Sequence, residues 1–147
     1  MGSAKTFFSE EQKNAIIDAI AKAELDTSGE VRVHIENICK GDVVPCATKI
    51  FEKLGMHKTK LRNAVLFYLA VKDRKFAILG DSGINEKVPA DFWNNIKHKM
   101  EANFREQKFT EGLCEGISLA GQQLKAHFPH EADDKNELAN EVTFGKK

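Results

Sequence analysis

One stretch of the sequence constrains the fold more than any other. The run Asn63–Val71 is almost entirely apolar. It is too short to span a membrane, and its β-branched and aromatic residues are typical of a strand that is buried on both faces. Such a strand needs helices above and below it and partner strands on either side. We therefore predict an α/β protein with this strand at the centre of its sheet.

Composition narrows the class of protein further. The 147 residues suit one domain, and 22 basic residues balance 22 acidic residues, so no net charge favours nucleic acid or anionic lipid as a partner. Cys39, Cys46 and Cys114 lack CxxC spacing, so we predict reduced thiols and neither a disulfide framework nor a zinc site. The chain also lacks a secretory or membrane-spanning apolar segment. We expect a cytoplasmic protein with no membrane span.

The patterns around the central run predict four helices and two further strands. The first helix begins at about Ser9, because Ser9 and Gln12 have the spacing of a capping box. Strict alternation predicts a strand at Glu30–Glu36 with one apolar face and one wetter face. The remaining predicted elements are a helix around Ala47–Leu54, a strand at Lys75–Leu79, a helix around Phe92–Phe104 and a helix from about Thr110 to Phe128.

This order of elements predicts a topology. A strand, a helix and a strand in succession form a right-handed crossover, so the first two strands run parallel, and a tight turn makes the third strand antiparallel. We predict a three-layer α/β/α sandwich with a mixed sheet of three to four strands. Residues 7–128 form the domain, and residues 129–147 are interpreted as a polar tail that can be disordered. Within that tail, Val142–Phe144 is a candidate edge strand.

The topology brings polar side chains to one edge of the sheet. Glu30 and Asn63 begin the two parallel strands, and Asp81 follows the antiparallel one, so all three converge. Asp91 can reach the same place, with Glu86 as a less certain neighbour. We call Glu30, Asn63, Asp81 and Asp91 the acidic rim; their oxygens suit Ca²⁺ or Mg²⁺. Alternatively, these acids are solvated or cap helices, and Asp81 shapes a turn.

A basic connection, His57–Arg62, leads to the same edge and suggests contact with a phosphoryl group. The sequence lacks a cysteine-phosphatase loop, an Asp-x-Asp pair and a glycine-rich phosphate cradle. Any hydrolysis would be metal-assisted and slow, with Asp81 and Arg62 as candidate catalytic residues. The alternative is a charge run on a solvated loop. His34, on the wetter strand face, is expected to pack or to form hydrogen bonds.

Several short motifs form a recognisable set: Thr27–Val33, Arg62–Leu66, Asp73–Lys75 and Gly80–Ile84, followed by Phe104-Arg105 and Glu111–Leu113. Taken together, over about Phe7 to Phe128, they resemble the TPM-domain family. The resemblance implies an α/β/α sandwich, a divalent-metal groove at the sheet edge that often takes calcium, and an acid-phosphatase activity in some members. By position, the acidic rim would carry the site.

The chain departs from the family in two respects. It lacks the signal peptide and C-terminal membrane helix of many members, and Asp81-Ser82 stands where a loop like Gly-aromatic-Gly is usual. We therefore expect a soluble, stand-alone TPM-like domain that binds Ca²⁺ or Mg²⁺ as a non-catalytic or stress-related module. The alternatives are a weak metal-assisted acid phosphatase acting on a phosphorylated small molecule, and an interaction domain without metal.

Overall fold

The strand β2, Ala64–Ala70, is buried along its whole length. The structure is a computed structural model that describes residues 6–25, 27–129 and 142–145. Its elements are α1 (Glu10–Glu24), β1 (Glu30–Glu36), α2 (Val43–Lys53), β2, β3 (Lys75–Gly80), α3 (Ser82–Asn85), α4 (Phe92–Arg105), α5 (Phe109–His127) and β4 (Val142–Phe144), with a 3₁₀ turn at Met56–Lys58. The predicted central strand is confirmed.

The four strands form one mixed sheet in the order β3-β2-β1-β4. β1 pairs with β2 in parallel, and β3 pairs with β2 antiparallel. β4 pairs with the other edge of β1, also in parallel. The parallel and antiparallel pairings predicted from the sequence are therefore confirmed, as is the short strand Val142–Phe144.

Helices cover both faces of this sheet. On one face, the alternating apolar residues of β1 and β2 pack against α1, α4 and α5, and Phe67 lies in the middle of that core. On the other face, Leu66 and Tyr68 pack against Ala47 and Phe51 of α2 and against Met56. Two separate apolar cores therefore hold the predicted three-layer sandwich together.

The predicted wetter face of β1 is wrong. Glu30, Arg32 and His34 are all buried, because β1 is an interior strand flanked by β2 and β4. The His34 ring stacks on Tyr68, and its nitrogens lie 2.7 Å from Thr143 Oγ1 and 2.9 Å from a Glu36 oxygen. The contacts of His34 therefore lie on β2, on β4 and within β1 itself, which the alternating pattern alone did not reveal.

The predicted helix boundaries hold with two differences. The capping box is present, since Gln12 N–H donates to Ser9 Oγ at 3.1 Å and Ser9 N–H donates to Gln12 Oε1 at 2.9 Å. α5 begins at Phe109, so Thr110 lies inside its first turn and does not cap it. A loop was predicted after β3, but Asp81 accepts a hydrogen bond from Ser82 N–H and starts the short helix α3 there.

The expectation of three reduced thiols is also wrong. Cys39 and Cys46 form a disulfide with their Cα atoms 6.1 Å apart, whereas Cys114 is free. The connection from β1 to α2 folds back on itself and brings the two residues within bonding range, although their spacing matches no common motif. Residues 130–141 of the predicted tail lie outside the described residues, so its interpretation stays a prediction.

Candidate functional site

Strand register places three of the predicted site residues at one edge of the sheet. Glu30 lies opposite Ala64, the residue after Asn63, and its N–H donates to the Asn63 carbonyl at 3.4 Å. Asp81 follows the last residue of β3, and its N–H donates to the Ala64 carbonyl at 2.9 Å. Residues far apart in the sequence therefore meet where β1 and β2 begin and β3 ends.

These three side chains are removed from solvent. Glu30 and Asn63 are each 1% exposed, and Asp81 is 7% exposed. The Asn63 amide group donates to Ser28 Oγ at 3.4 Å, which orients the side chain across the start of β1. Burying a carboxylate is costly unless it has a partner, so this edge concentrates oxygen atoms that favour a positive charge.

Arg62 supplies one such positive charge. Its Nε and one terminal nitrogen donate to the two oxygens of Asp81 at 2.6 and 2.8 Å, a bidentate pair, and the Asp81 carboxylate raises the pKa of Arg62. Asp81 also accepts from Ser82 N–H at 2.8 Å. The Arg62 side chain is 48% exposed, and its backbone is left-handed with a φ of 53°. The guanidinium therefore approaches the buried carboxylate from solvent.

Asp91 is less closely joined to this edge. It is exposed, it lies just before α4, and its side chain does not cap that helix. The start of α4 is held near the end of β3, since Trp93 Nε1 donates to Asn85 Oδ1 at 2.8 Å and the Asn85 amide donates to the Gly80 carbonyl at 2.7 Å. Asp91 thus follows the same loop as Asp81, without a side-chain hydrogen bond to Glu30, Asn63 or Asp81 in the described residues.

Glu24 is a residue of this edge that the sequence analysis missed. Its carboxylate accepts from Val31 N–H at 2.7 Å at the start of β1. Burial raises the pKa of Glu24 to about 7, and the charge of Glu30 adds to the rise. The available signal was its position four residues after the buried Ile20, which places Glu24 on the inner side of α1.

A hard divalent cation needs several oxygen ligands grouped around one position. No three His, Cys, Asp or Glu side chains are grouped closely enough to hold a metal within the described ranges. The buried part of the rim offers the carboxylates of Glu30 and Asp81 and the amide of Asn63. The Asp81 carboxylate is already paired with Arg62. This set fits Mg²⁺ or Ca²⁺ if water completes the coordination and Arg62 moves into solvent, which its half-exposed side chain permits.

Comparison with known proteins identifies the family to which this fold belongs. A family model of the TPM domain matches residues 3–123. The chain therefore belongs to the TPM-domain family, and the resemblance found in the sequence is confirmed.

Solved structures agree with the fold. The NMR structure of the BA42 protein from the psychrophilic bacterium Bizionia argentinensis is 43% identical, with a TM-score of 0.89 over 99% of this chain and 100% of that one. The N-terminal domain of a P. gingivalis protein is 22% identical, with a TM-score of 0.70 over 84% of this chain and 82% of that one. The N-terminal domain of the Corynebacterium glutamicum cg2496 protein is 11% identical, with a TM-score of 0.63 over 92% and 80%. The last two show the fold alone.

Curated protein sequences gave no match to this chain. In the part of the chain that the structure describes, no helix combines the length and apolar character needed to cross a bilayer.

Proposed function

We propose that this protein binds a divalent cation, Ca²⁺ or Mg²⁺, at the acidic rim and acts as a non-catalytic or stress-related module. The observation that supports the proposal is the burial of Glu30, Asn63 and Asp81 at a single sheet edge. Two carboxylates and an amide oxygen, supplied by rigid strand ends, are hard ligands held at little further entropic cost. Asp91, which is exposed just before α4, is the proposed fourth ligand.

Arg62 is proposed to compete with the cation for Asp81. The guanidinium holds both carboxylate oxygens, so the cation gains Asp81 only if Arg62 leaves. A doubly charged ion attracts the carboxylate more strongly than a single guanidinium charge at similar distance, and the exposed Arg62 is readily rehydrated. The affinity for the cation then depends on how favourable it is for Asp81 to exchange Arg62 for the cation.

The proposal is tested by titrating calcium into isotope-labelled protein and following the amide signals of Glu30, Asn63 and Asp81. Asp81→Asn should weaken binding by at least about tenfold, because it removes one charged ligand. Arg62→Gln should instead tighten binding, because it removes the competitor and leaves Asp81 in place.

Asp18→Asn is the matched control, because Asp18 is exposed on α1 and does not lie at the rim. It should bind calcium as the unmodified protein does. Equal affinity for the unmodified protein and Asp81→Asn would contradict the proposal, as would signals of the rim that stay unchanged during the titration. The latter result would favour an interaction domain without metal.

A weak metal-assisted acid phosphatase is the second candidate function. It is favoured by the position of the Arg62 guanidinium beside Asp81, with the exposed Lys58 and Lys60 in the same connection. A bound cation would supply polarisation of a phosphoryl oxygen. Arg62 would contact the phosphate, and Asp81 would contribute a negative charge to the site. The substrate class would be a phosphorylated small molecule.

Nucleophilic catalysis has less support. Cys39 and Cys46 are joined in a disulfide, and burial raises the pKa of the Cys114 thiol, which lies beside Ala15 between α1 and α5.

Release of phenol from an aryl phosphate, measured with calcium or magnesium present, tests the phosphatase hypothesis. If the protein releases no more phenol than Asp81→Asn, the phosphatase hypothesis is rejected, whereas cation binding can still be established independently.

A further inference from the structure

A second concave surface lies at the opposite end of the sheet from the acidic rim. It has a volume of about 660 Å³ and lies between the β2–β3 hairpin and the junction of α4 with α5. Four phenylalanines line it, and we call this surface the aromatic groove: Phe7, Phe76, Phe104 and Phe109. Leu69 and Val71, at the far end of the central strand, also contribute to its wall.

The phenylalanines form a continuous chain of ring contacts. Ring centroids are 5.2 Å apart for Phe7 and Phe109, 5.3 Å for Phe104 and Phe109, and 5.0 Å for Phe76 and Phe104. Each of the four side chains is only half-buried. The groove therefore offers aromatic surface that can stack with a planar apolar ligand.

Two exposed arginines, Arg74 and Arg105, also line the aromatic groove. In the described part of the chain, neither guanidinium forms an ion pair, whereas Arg62 is fully engaged with Asp81. One acidic side chain, Glu101, faces the same groove, so the two positive charges exceed the negative charge by one. A planar guanidinium is well suited to recognise a carboxylate.

The backbone turns sharply at two places beside the groove. Arg74 and Gln107 are left-handed, with φ of 54° and 62°, and both line the groove. Gln107 stands two residues beyond Arg105, the last residue of α4. Its N–H donates to the Phe104 carbonyl, and the N–H of Lys108 donates to the Asn103 carbonyl. Glycine fills such positions with less strain. The end of α4 and the β2–β3 hairpin account for these two φ values, and they fix where the Arg74 and Gln107 side chains leave the backbone beside the groove.

We propose that the aromatic groove binds a small organic monoanion with an aromatic body, an aromatic carboxylate. The ring system would lie against the phenylalanines, and the carboxylate would accept hydrogen bonds from Arg74 and Arg105. The volume falls in the range of about 300 to 1,000 Å³ that is common for small-molecule sites. An excess of one positive charge matches a carboxylate better than a doubly charged phosphate, because Glu101 opposes the second charge.

The test is a titration of isotope-labelled full-length protein with naphthoate. The amide signals of Arg74, Phe104 and Phe109 should shift with a dissociation constant of about 1 mM or below, as expected for a ligand of this size. Naphthamide, which has the same rings without the charge, should bind at least about fivefold more weakly. Acetate, which has the charge without the rings, should not shift these signals.

Protein variants assign the contacts. The double variant Arg74→Gln, Arg105→Gln should lose about tenfold in affinity, while Glu101→Gln should gain a few-fold because it removes a repulsive charge. Lys97→Gln, an exposed site on α4 that does not line the groove, should behave as the unmodified protein does. Equal binding of naphthamide, unchanged affinity in the double variant, or shifts located at the acidic rim would each overturn the proposal.

Discussion

At the level of single residues, Glu24 joins the end of α1 to the start of β1. Its carboxylate accepts the Val31 N–H at 2.7 Å, yet burial and the nearby Glu30 raise its pKa to about 7. Desolvation therefore outweighs the hydrogen bond, and the protonated form is favoured in the folded protein relative to the unfolded chain.

This shift makes the free energy of unfolding depend on pH. Because the folded-state pKa lies above the ordinary value of 4.5, the contribution of Glu24 is fully present below that value and is lost as the pH rises through about 7. Glu24→Gln cannot ionise and should be more stable than the unmodified protein at pH 8. We expect a gain of roughly 2 kcal/mol, less than the full shift gives because the side chain is partly exposed.

Urea unfolding at pH 5 and at about pH 8 measures this difference between the two proteins. Glu11→Gln, an exposed glutamate in the first turn of the same helix, serves as the control and should not gain stability at the higher pH. Parallel pH profiles for Glu24→Gln and the unmodified protein would show that Glu24 is not the titrating group.

Individual residues also show which features of the site the sequence predicts and which it does not. Convergence of Glu30, Asn63 and Asp81 follows from strand order, which apolar patterns predict well. The ion pair between Arg62 and Asp81 does not follow from it, because the left-handed backbone of Arg62 that aims the side chain has no sequence signature in a non-glycine residue. The expected role of His34 in packing or hydrogen bonding is confirmed, but its burial was not expected, since its partner Thr143 belongs to a distant edge strand.

At the level of elements, the contact between α1 and α5 depends on small residues. Gly121 of α5 faces Ala23 of α1, and a Cβ atom added at Gly121 would lie 2.7 Å from the Ala23 Cβ and 2.8 Å from its Cα. The backbones of the two helices are therefore too close for any larger side chain at this position.

Gly121→Val should destabilise the protein by about 2 kcal/mol or more, because the helices must separate to admit the added atoms. The measurement is the free energy of unfolding in urea. Ala126→Val, at an exposed position on the same helix, controls for the helix propensity of valine and should cost only a few tenths of a kcal/mol. Similar losses in both variants would mean that the contact tolerates expansion.

Elements with a strong apolar period were predicted well, and short ones were not. Helices α1, α2, α4 and α5 each repeat apolar residues over three or more turns, which a sequence displays directly. The four-residue helix α3 has no room for such a period and depends on a single capping side chain, Asp81. The disulfide between Cys39 and Cys46 depends on how one loop closes, which spacing does not determine.

For the whole molecule, cation binding at the rim should couple to global stability. The proposed ligands lie at or next to the ends of three strands and in the loop before α4, so unfolding would separate them and release the cation. Calcium at about 100 times its dissociation constant should then add roughly 2.7 kcal/mol to the free energy of unfolding. For a chain of this length, the increase in Tm would be about 5 to 10 °C.

Thermal unfolding followed by circular dichroism, with and without calcium, tests this coupling. Asp81→Asn at the same calcium concentration should show little increase in Tm. A control with sodium chloride at matched ionic strength distinguishes specific calcium binding from general screening of the charges at the acidic rim. An equal rise in Tm with sodium chloride would contradict a specific site.

The acidic rim and the aromatic groove lie at opposite ends of the same buried strand. β2 has seven residues, which extend for roughly 20 Å, and among the described residues no side chain lines both places. A ligand bound at one end therefore leaves the other end accessible. Substitutions at the rim should change the affinity for the cation alone, and substitutions at the groove should change the affinity for the aromatic carboxylate alone. A chain of 147 residues would then bind two ligands of different chemistry, a metal ion and an organic acid, at the same time.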